Sequence, residues 1–224
     1  MTQHQRGKEI LRRLKKTYQH RGEFVQWSNP LELLIGTILS AQCTDKRVNI
    51  VTKKLFKKYR TARAYARADL KTLERQIFST GFYKSKARYL KGTGARLVEQ
   101  YGGEVPNSFD DLITLPGVSD KTAHLIMAKV FHTPTGVAVD THVQRLAPRL
   151  GLTRHTQPKK IGQDLDRLFV SRDYLDVNEY FIMHGRALCV RLPKCTQCPL
   201  IDICPTGKKN TAQRAVRNVA KRRG

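Results

Sequence analysis

The sequence predicts an all-α protein, and three observations carry that expectation. Apolar residues recur at steps of three and four along almost every periodic segment, strand-like alternation is nearly absent, and helix-opening residues stand where the segments begin. About ten short helices result from reading those signals in order.

Ile10, Leu14 and Tyr18 mark the first apolar stripe. Asn29 before Pro30 is an N-cap followed by a first-turn proline, and it opens the most apolar run, Leu31 to Leu39. Glu32, Gly36 and Thr37 interrupt that run, which is also too short to span a bilayer. No charged start followed by a long apolar stretch opens the chain, so neither secretion nor membrane contact is expected. The expected location is the cytoplasm, with nucleoid association if the source is prokaryotic.

Thr44 and Asp45 precede a basic amphipathic segment with Val48, Val51, Leu55 and Tyr59 on one face. Leu70, Leu73 and Ile77 form the next stripe, followed by Ala87, Leu90, Gly94, Leu97 and Tyr101. Ser108 with Asp111 has the spacing of an N-cap and its acidic partner. From Gly207 onward seven basic residues and no acidic ones predict a mobile, solvated tail that could touch a polyanion.

Charge narrows the partner. Forty-two Lys and Arg against eighteen Asp and Glu give a net charge of +24, a field suited to nucleic acid. Five cysteines are an odd number, and four crowd between Cys189 and Cys204, where disulfides would close only small loops. A metal or cluster site in a reducing compartment fits that pattern better.

Leu115-Pro116-Gly117-Val118-Ser119-Asp120-Lys121-Thr122-Ala123 reads as a helix, a tight Pro-Gly turn and a second helix. Amides of such a turn, at the positive end of the second helix, can receive a phosphate oxygen without reading sequence. A Pro-Gly turn between helices is also a common structural connection.

With Leu39 to Asp45 before it and Val139 to Arg145 after it, this segment resembles the helix-hairpin-helix motif of the endonuclease III family of DNA glycosylases. The resemblance runs from about Asn29 to Cys204 and keeps the family's motif order. It implies the helix-hairpin-helix DNA glycosylase fold: a six-helix domain over 24–134, an iron-sulfur cluster domain from 1–23 with 135–208, and a basic tail over 209–224.

The resemblance also assigns roles. Lys121 matches the family's nucleophile; a helix N-terminus and surplus positive charge both favour the neutral, attacking form of an amine. Taken without the resemblance, Lys121 is a phosphate contact. Asp140 has the setting of a helix N-cap, and the matching family carboxylate both caps and assists catalysis. Leu115, Gly117, Val118 and Ser119 fall on the backbone-gripping turn. Gln42 matches the side chain inserted into the hole left by a flipped base, and Phe82 is the second candidate wedge, with a core position as its alternative.

Cys189, Cys195, Cys198 and Cys204 can ligate either tetrahedral zinc or a 4Fe-4S cluster. Only Cys195 and Cys198 form a close pair, unlike the two pairs of a zinc ribbon, and the order resembles the family's cluster motif. Five residues separate Cys189 from Cys195 where the family has six, and this shortened loop carries Arg191 and Lys194 toward phosphate. Cys43, alone on an apolar segment, reads as core.

The implied function is base excision repair by a bifunctional glycosylase and abasic-site lyase that removes oxidised pyrimidines. Its partner would be double-stranded DNA with a damaged base or abasic site, engaged by a monomer. Two alternatives stand beside it: a noncatalytic DNA-binding homologue, and a same-fold glycosylase with mismatch or purine specificity. Ser119 and Asp120 depart from the family's glycine and basic or neutral residue, which predicts a weaker grip through the hairpin.

Overall fold

The computed structural model describes residues 1–19 and 24–213, and α-helix with short 3-10 turns is the regular structure found among them. The chain divides into two compact units, Glu23–Thr135 and Met1–Gly22 with Gly136–Gly224.

The Glu23–Thr135 unit contains α2 (Pro30–Ser40), α3 (Asp45–Lys58), α4 (Ala62–Ala66), α5 (Leu70–Ile77), α6 (Tyr83–Gln100), α7 (Phe109–Thr114) and α8 (Asp120–Lys129). The N-caps read from sequence are present: Asn29 Oδ1 accepts from Glu32 N, Thr44 from Arg47 N and Ser108 from Asp111 N. Each such cap stabilises its helix by about 1 kcal/mol, because it satisfies an amide the helix cannot. Every residue of α2 from Leu33 to Leu39 is buried, so α2 runs inside the core of this unit. Its leucines and isoleucines meet Leu73, Ile77, Leu90, Leu97, Leu112 and Ile126 in one core. Gly94 lets α4 lie against α6, since a Cβ there would stand 2.7 Å from the Ala62 carbonyl oxygen.

The second unit joins α1 (Gln3–Thr17) to α9 (Thr141–Arg149), α10 (Pro158–Leu168) and α11 (Tyr174–Ala187). A capping box between Thr2 and Gln5 starts α1, and Ile10, Leu11 and Leu14 bury its apolar face. α11 is buried along most of its length, with Phe181 and Val177 fully enclosed. Asn178 Nδ2 donates to the Ala138 carbonyl at 2.6 Å, fixing the segment that leads into α9.

Residues 205–213 are also helical, so the segment expected as a tail from 209 begins as the end of a helix. The Lys208 amide bonds back to the Cys204 carbonyl, and Thr211 Oγ1 to that of Gly207. The remaining stretch, 214–224, lies outside the described residues. No helix of the described residues is long and apolar enough to cross a membrane.

Candidate functional site

The turn between α7 and α8 is built on α6. Gly117 adopts φ 79°, and a Cβ there would meet Tyr89 Cγ at 2.8 Å, so both conformation and space demand glycine. The Pro116 carbonyl accepts Thr93 Oγ1 at 2.8 Å, and the Thr114 carbonyl accepts Arg96 Nη1 at 2.8 Å. Leu115 is buried in the core, and its carbonyl accepts the Val118 amide at 3.1 Å, which closes the turn. Val118 therefore shapes the turn with its amide instead of offering that amide outward.

Ser119 caps α8 through its Oγ, which accepts the Thr122 amide at 3.4 Å. Asp120 is exposed at the first helical position, and half-buried Lys121 follows it in the same turn. The positive end of the α8 dipole thus surrounds the Lys121 backbone. Phe109 of α7 and His124 of α8 pack as a tilted pair with ring centroids 4.5 Å apart, holding the two helices of the hairpin together.

Gln42 and Phe82 share a backbone signature. Among the described residues, the non-glycine positions with positive φ are Gln42 at 52°, Phe82 at 48° and His132 at 55°. His132 follows the end of α8, where the Thr133 amide reaches back to the Met127 carbonyl. Gln42 and Phe82 occupy exposed loops instead, and left-handed residues of this kind cluster at ligand-contacting sites. Phe82 is 65% exposed, so it is not a core residue. Cys43, beside Gln42, is partly buried against the core.

Between these loops lies Lys86, which sequence reasoning missed. Only 3% exposed, its Nζ donates to the Leu39 carbonyl at 2.8 Å and to the Thr80 carbonyl at 2.8 Å. Its own amide donates to the Phe82 carbonyl. Burial pushes its ammonium below the usual lysine range, with the Cys43 sulfur acting in the opposite direction.

In the other unit, Asp140 caps α9: Oδ1 accepts the His142 and Val143 amides at 2.9 and 2.8 Å. Its Oδ2 lies 3.1 Å from His142 Nδ1, and a carboxylate in that contact accepts the imidazole N-H. Lys121 and Asp140 belong to different units.

The four clustered cysteines line one cavity, together with Arg149, Leu150, His184, Leu188, Pro193, Lys194, Thr206 and Gly207. None of the chain's cysteines is in a disulfide. Each sulfur faces a nitrogen donor: Cys189 the Arg149 guanidinium at 3.5 Å, Cys195 the Asn210 amide at 3.5 Å, Cys198 the Leu200 amide at 3.4 Å, and Cys204 the Gly207 amide at 3.3 Å. His184 Nε2 lies 3.5 Å from Cys198, its Nδ1 2.9 Å from the Tyr18 hydroxyl, and burial pushes the imidazole down to about 4, so it is neutral.

Four N-H groups aimed at four sulfurs can stabilise thiolates, and the Cys204 sulfur also lies 3.3 Å from the Arg149 carbonyl, to which a thiol would donate. Burial first, and then the neighbouring sulfurs, push the Cys198 thiol up to about 11 and that of Cys204 upward too, so a metal centre is what would make these groups anionic. Among the described residues, no three His, Cys, Asp or Glu side chains converge closely enough to hold a single ion.

The loop between Cys189 and Cys195 is clamped by two arginines one turn apart on α9. Arg145 donates to the Cys189 and Gly185 carbonyls at 3.1 Å, and Arg149 to the Val190 and Arg191 carbonyls at 2.7 and 3.0 Å. Arg191 and Lys194 stay exposed on this braced loop. The i, i+4 spacing of Arg145 and Arg149 is visible in the sequence, but nothing local names carbonyls about forty residues away as their targets.

Comparison with known proteins adds three findings. Residues 35–170 match the model of the HhH-GPD superfamily base excision DNA repair proteins. The chain is 45% identical over 205 residues to endonuclease III of Synechocystis, covering 91% of this chain and 94% of that one, and 40% identical over 184 residues to endonuclease III of Bacillus subtilis, covering 81% and 84%. A solved non-covalent endonuclease III-DNA complex superposes with a TM-score of 0.89 at 38% identity, covering 95% of this chain and all of the other.

Proposed function

This chain belongs to the HhH-GPD superfamily of base excision DNA repair proteins, within it to the endonuclease III family, and we propose that it acts as a monomer on oxidised pyrimidines in duplex DNA. It is a DNA glycosylase and abasic-site lyase. The observation that carries the proposal is Lys121 in the first turn of α8, directly after a glycine-dependent turn docked on α6.

The Lys121 Nζ lone pair attacks C1′ of the flipped nucleotide, and the glycosidic electron pair leaves with the base, which takes up a proton. Loss of an amine proton then lets the nitrogen lone pair form an iminium at C1′ while the C1′–O4′ bond breaks, its electron pair going to O4′, which takes up a proton as the sugar ring opens. Removal of a C2′ proton then sends electrons into elimination of the 3′ phosphate. The Asp140 carboxylate opposes the positive charge that builds on sugar and amine. Gln42 and Phe82 fill the space vacated by the base, and the amides of Gly117 and Ser119 with those at the α8 N-terminus hold backbone phosphate.

Cys189, Cys195, Cys198 and Cys204 would hold a 4Fe-4S cluster, whose chemistry there is to cross-link the loop bearing Arg191 and Lys194. These two cations then meet phosphate from a fixed backbone.

A panel of duplexes, each with one defined lesion, tests this reading through base release and strand cleavage. Release of thymine glycol with concurrent strand cleavage is expected. Preferential release of a mismatched thymine or an alkylated purine would overturn the substrate assignment, and tight binding without release would favour a noncatalytic role.

A further inference from the structure

The geometry points to Lys86 as a positioning residue for base extrusion: by binding the Leu39 and Thr80 carbonyls together, its ammonium sets the spacing at which Gln42 and Phe82 meet the duplex. The inference rests on the intercalating role proposed above for those two side chains.

The two carbonyl oxygens each lie 2.8 Å from one nitrogen, so they can be no more than twice that distance apart. Leu39 stands in the last turn of α2, where carbonyls lack helical partners and a cation is favoured by the dipole. Three residues on, Gln42 turns left-handed. Thr80 ends a 3-10 turn, and two residues on Phe82 does the same. The Lys86 amide bonds to the Phe82 carbonyl, so one residue holds the Phe82 loop by backbone and side chain and, by side chain, the end of α2 from which the Gln42 loop leaves.

Left-handed conformations at Gln42 and Phe82 persist only where surrounding bonds over-determine them. A lysine is unusual for the task, since burying its charge is unfavourable and an apolar side chain would pack α6 as well. Two backbone carbonyls, one from the last turn of α2 and one from the end of the 3-10 turn, converging on one point, are what an ammonium can satisfy and a methyl group cannot. A wedge pair entering one base-pair gap needs its members at fixed separation, and the ammonium supplies that separation before DNA arrives.

The test uses the full chain and a duplex with a tetrahydrofuran abasic analogue facing 2-aminopurine, whose fluorescence rises when stacking is lost. The parent, Lys86→Met, Phe82→Ala and the double variant are compared, with circular dichroism confirming fold. Lys86→Met should lose most of the fluorescence rise and bind this duplex roughly tenfold more weakly, the scale of one lost restraint on a strained residue. The double variant should be no worse than Phe82→Ala alone, because both changes disable one wedge.

A parent-like rise in Lys86→Met, or losses that multiply in the double variant, would overturn the inference while leaving the glycosylase reading intact. No rise in the parent itself would overturn the extrusion reading and this inference together. Should Lys86→Met not fold, Lys86→Gln replaces it: its neutral amide keeps N-H donors one bond short of the ammonium's reach, and the same outcomes decide.

Discussion

Asp140 holds His142 twice, accepting its backbone amide at Oδ1 and lying 3.1 Å from its imidazole Nδ1 through Oδ2. The carboxylate is thereby oriented at the start of α9 by the helix it caps.

Capping and catalysis can be separated there. Asn is as good an N-cap as Asp, so Asp140→Asn should change stability by less than about 1 kcal/mol. It removes the negative charge, and the single-turnover rate should fall by roughly 100-fold or more, the scale of a positioned acid-base group. Thermal melts and rapid-quench kinetics on one preparation check both. Equal losses in stability and rate would make Asp140 a cap only.

The Ser119-Asp120 pair should weaken the hairpin's hold on DNA. Asp120 is exposed at the α8 N-terminus, where its carboxylate competes with phosphate for the positive dipole end. Replacing Ser119 by Gly and Asp120 by Arg together should tighten abasic-site binding at moderate salt by roughly 1 kcal/mol. A salt series in which the double variant matches the parent would place Asp120 away from the duplex.

Iron and the loop brace can be read from colour. The protein should be brown, with iron and not zinc on elemental analysis of anaerobic preparations. Arg149→Met frees the Val190 and Arg191 carbonyls, and Asn210→Leu removes the donor facing Cys195. Both variants should lose visible absorption faster in air. Stoichiometric zinc, or unchanged bleaching in both variants, would contradict the cluster assignment or the brace respectively.

Phosphate contacts by the braced loop should appear in the salt dependence. Arg191→Ala and Lys194→Ala should each reduce the log-log slope of affinity against salt by roughly 0.9. Asn210 faces Cys195, so a truncation meant to probe the basic end should remove only 214–224 and leave the helix over 205–213 whole. If that truncation leaves slope and affinity unchanged, those residues do not touch DNA.

Local signals in the sequence and long-range ones fared differently. Caps at Asn29, Thr44 and Ser108 were legible because they act over three residues, and the buried face of α6 followed from its period. Lys86 was not legible: its partner at Leu39 lies 47 residues away and is a backbone carbonyl, a group every residue carries. Likewise Arg145 and Arg149 read as ordinary basic residues until α9 meets the cysteine loop. The basic stretch after Gly207 read as solvated tail because composition carries no sign of an amide aimed at a sulfur. Phe82 is ambiguous between core and wedge, since an aromatic serves either; its 65% exposure in the fold rules out the core.

The central claim is covalent chemistry through Lys121, and borohydride trapping on abasic-site duplex tests it most directly. Reduction should fix a protein-DNA adduct in the parent, and Lys121→Gln, folded and still binding that duplex, should form none. An adduct of parental yield in Lys121→Gln would remove Lys121 from the nucleophile's role.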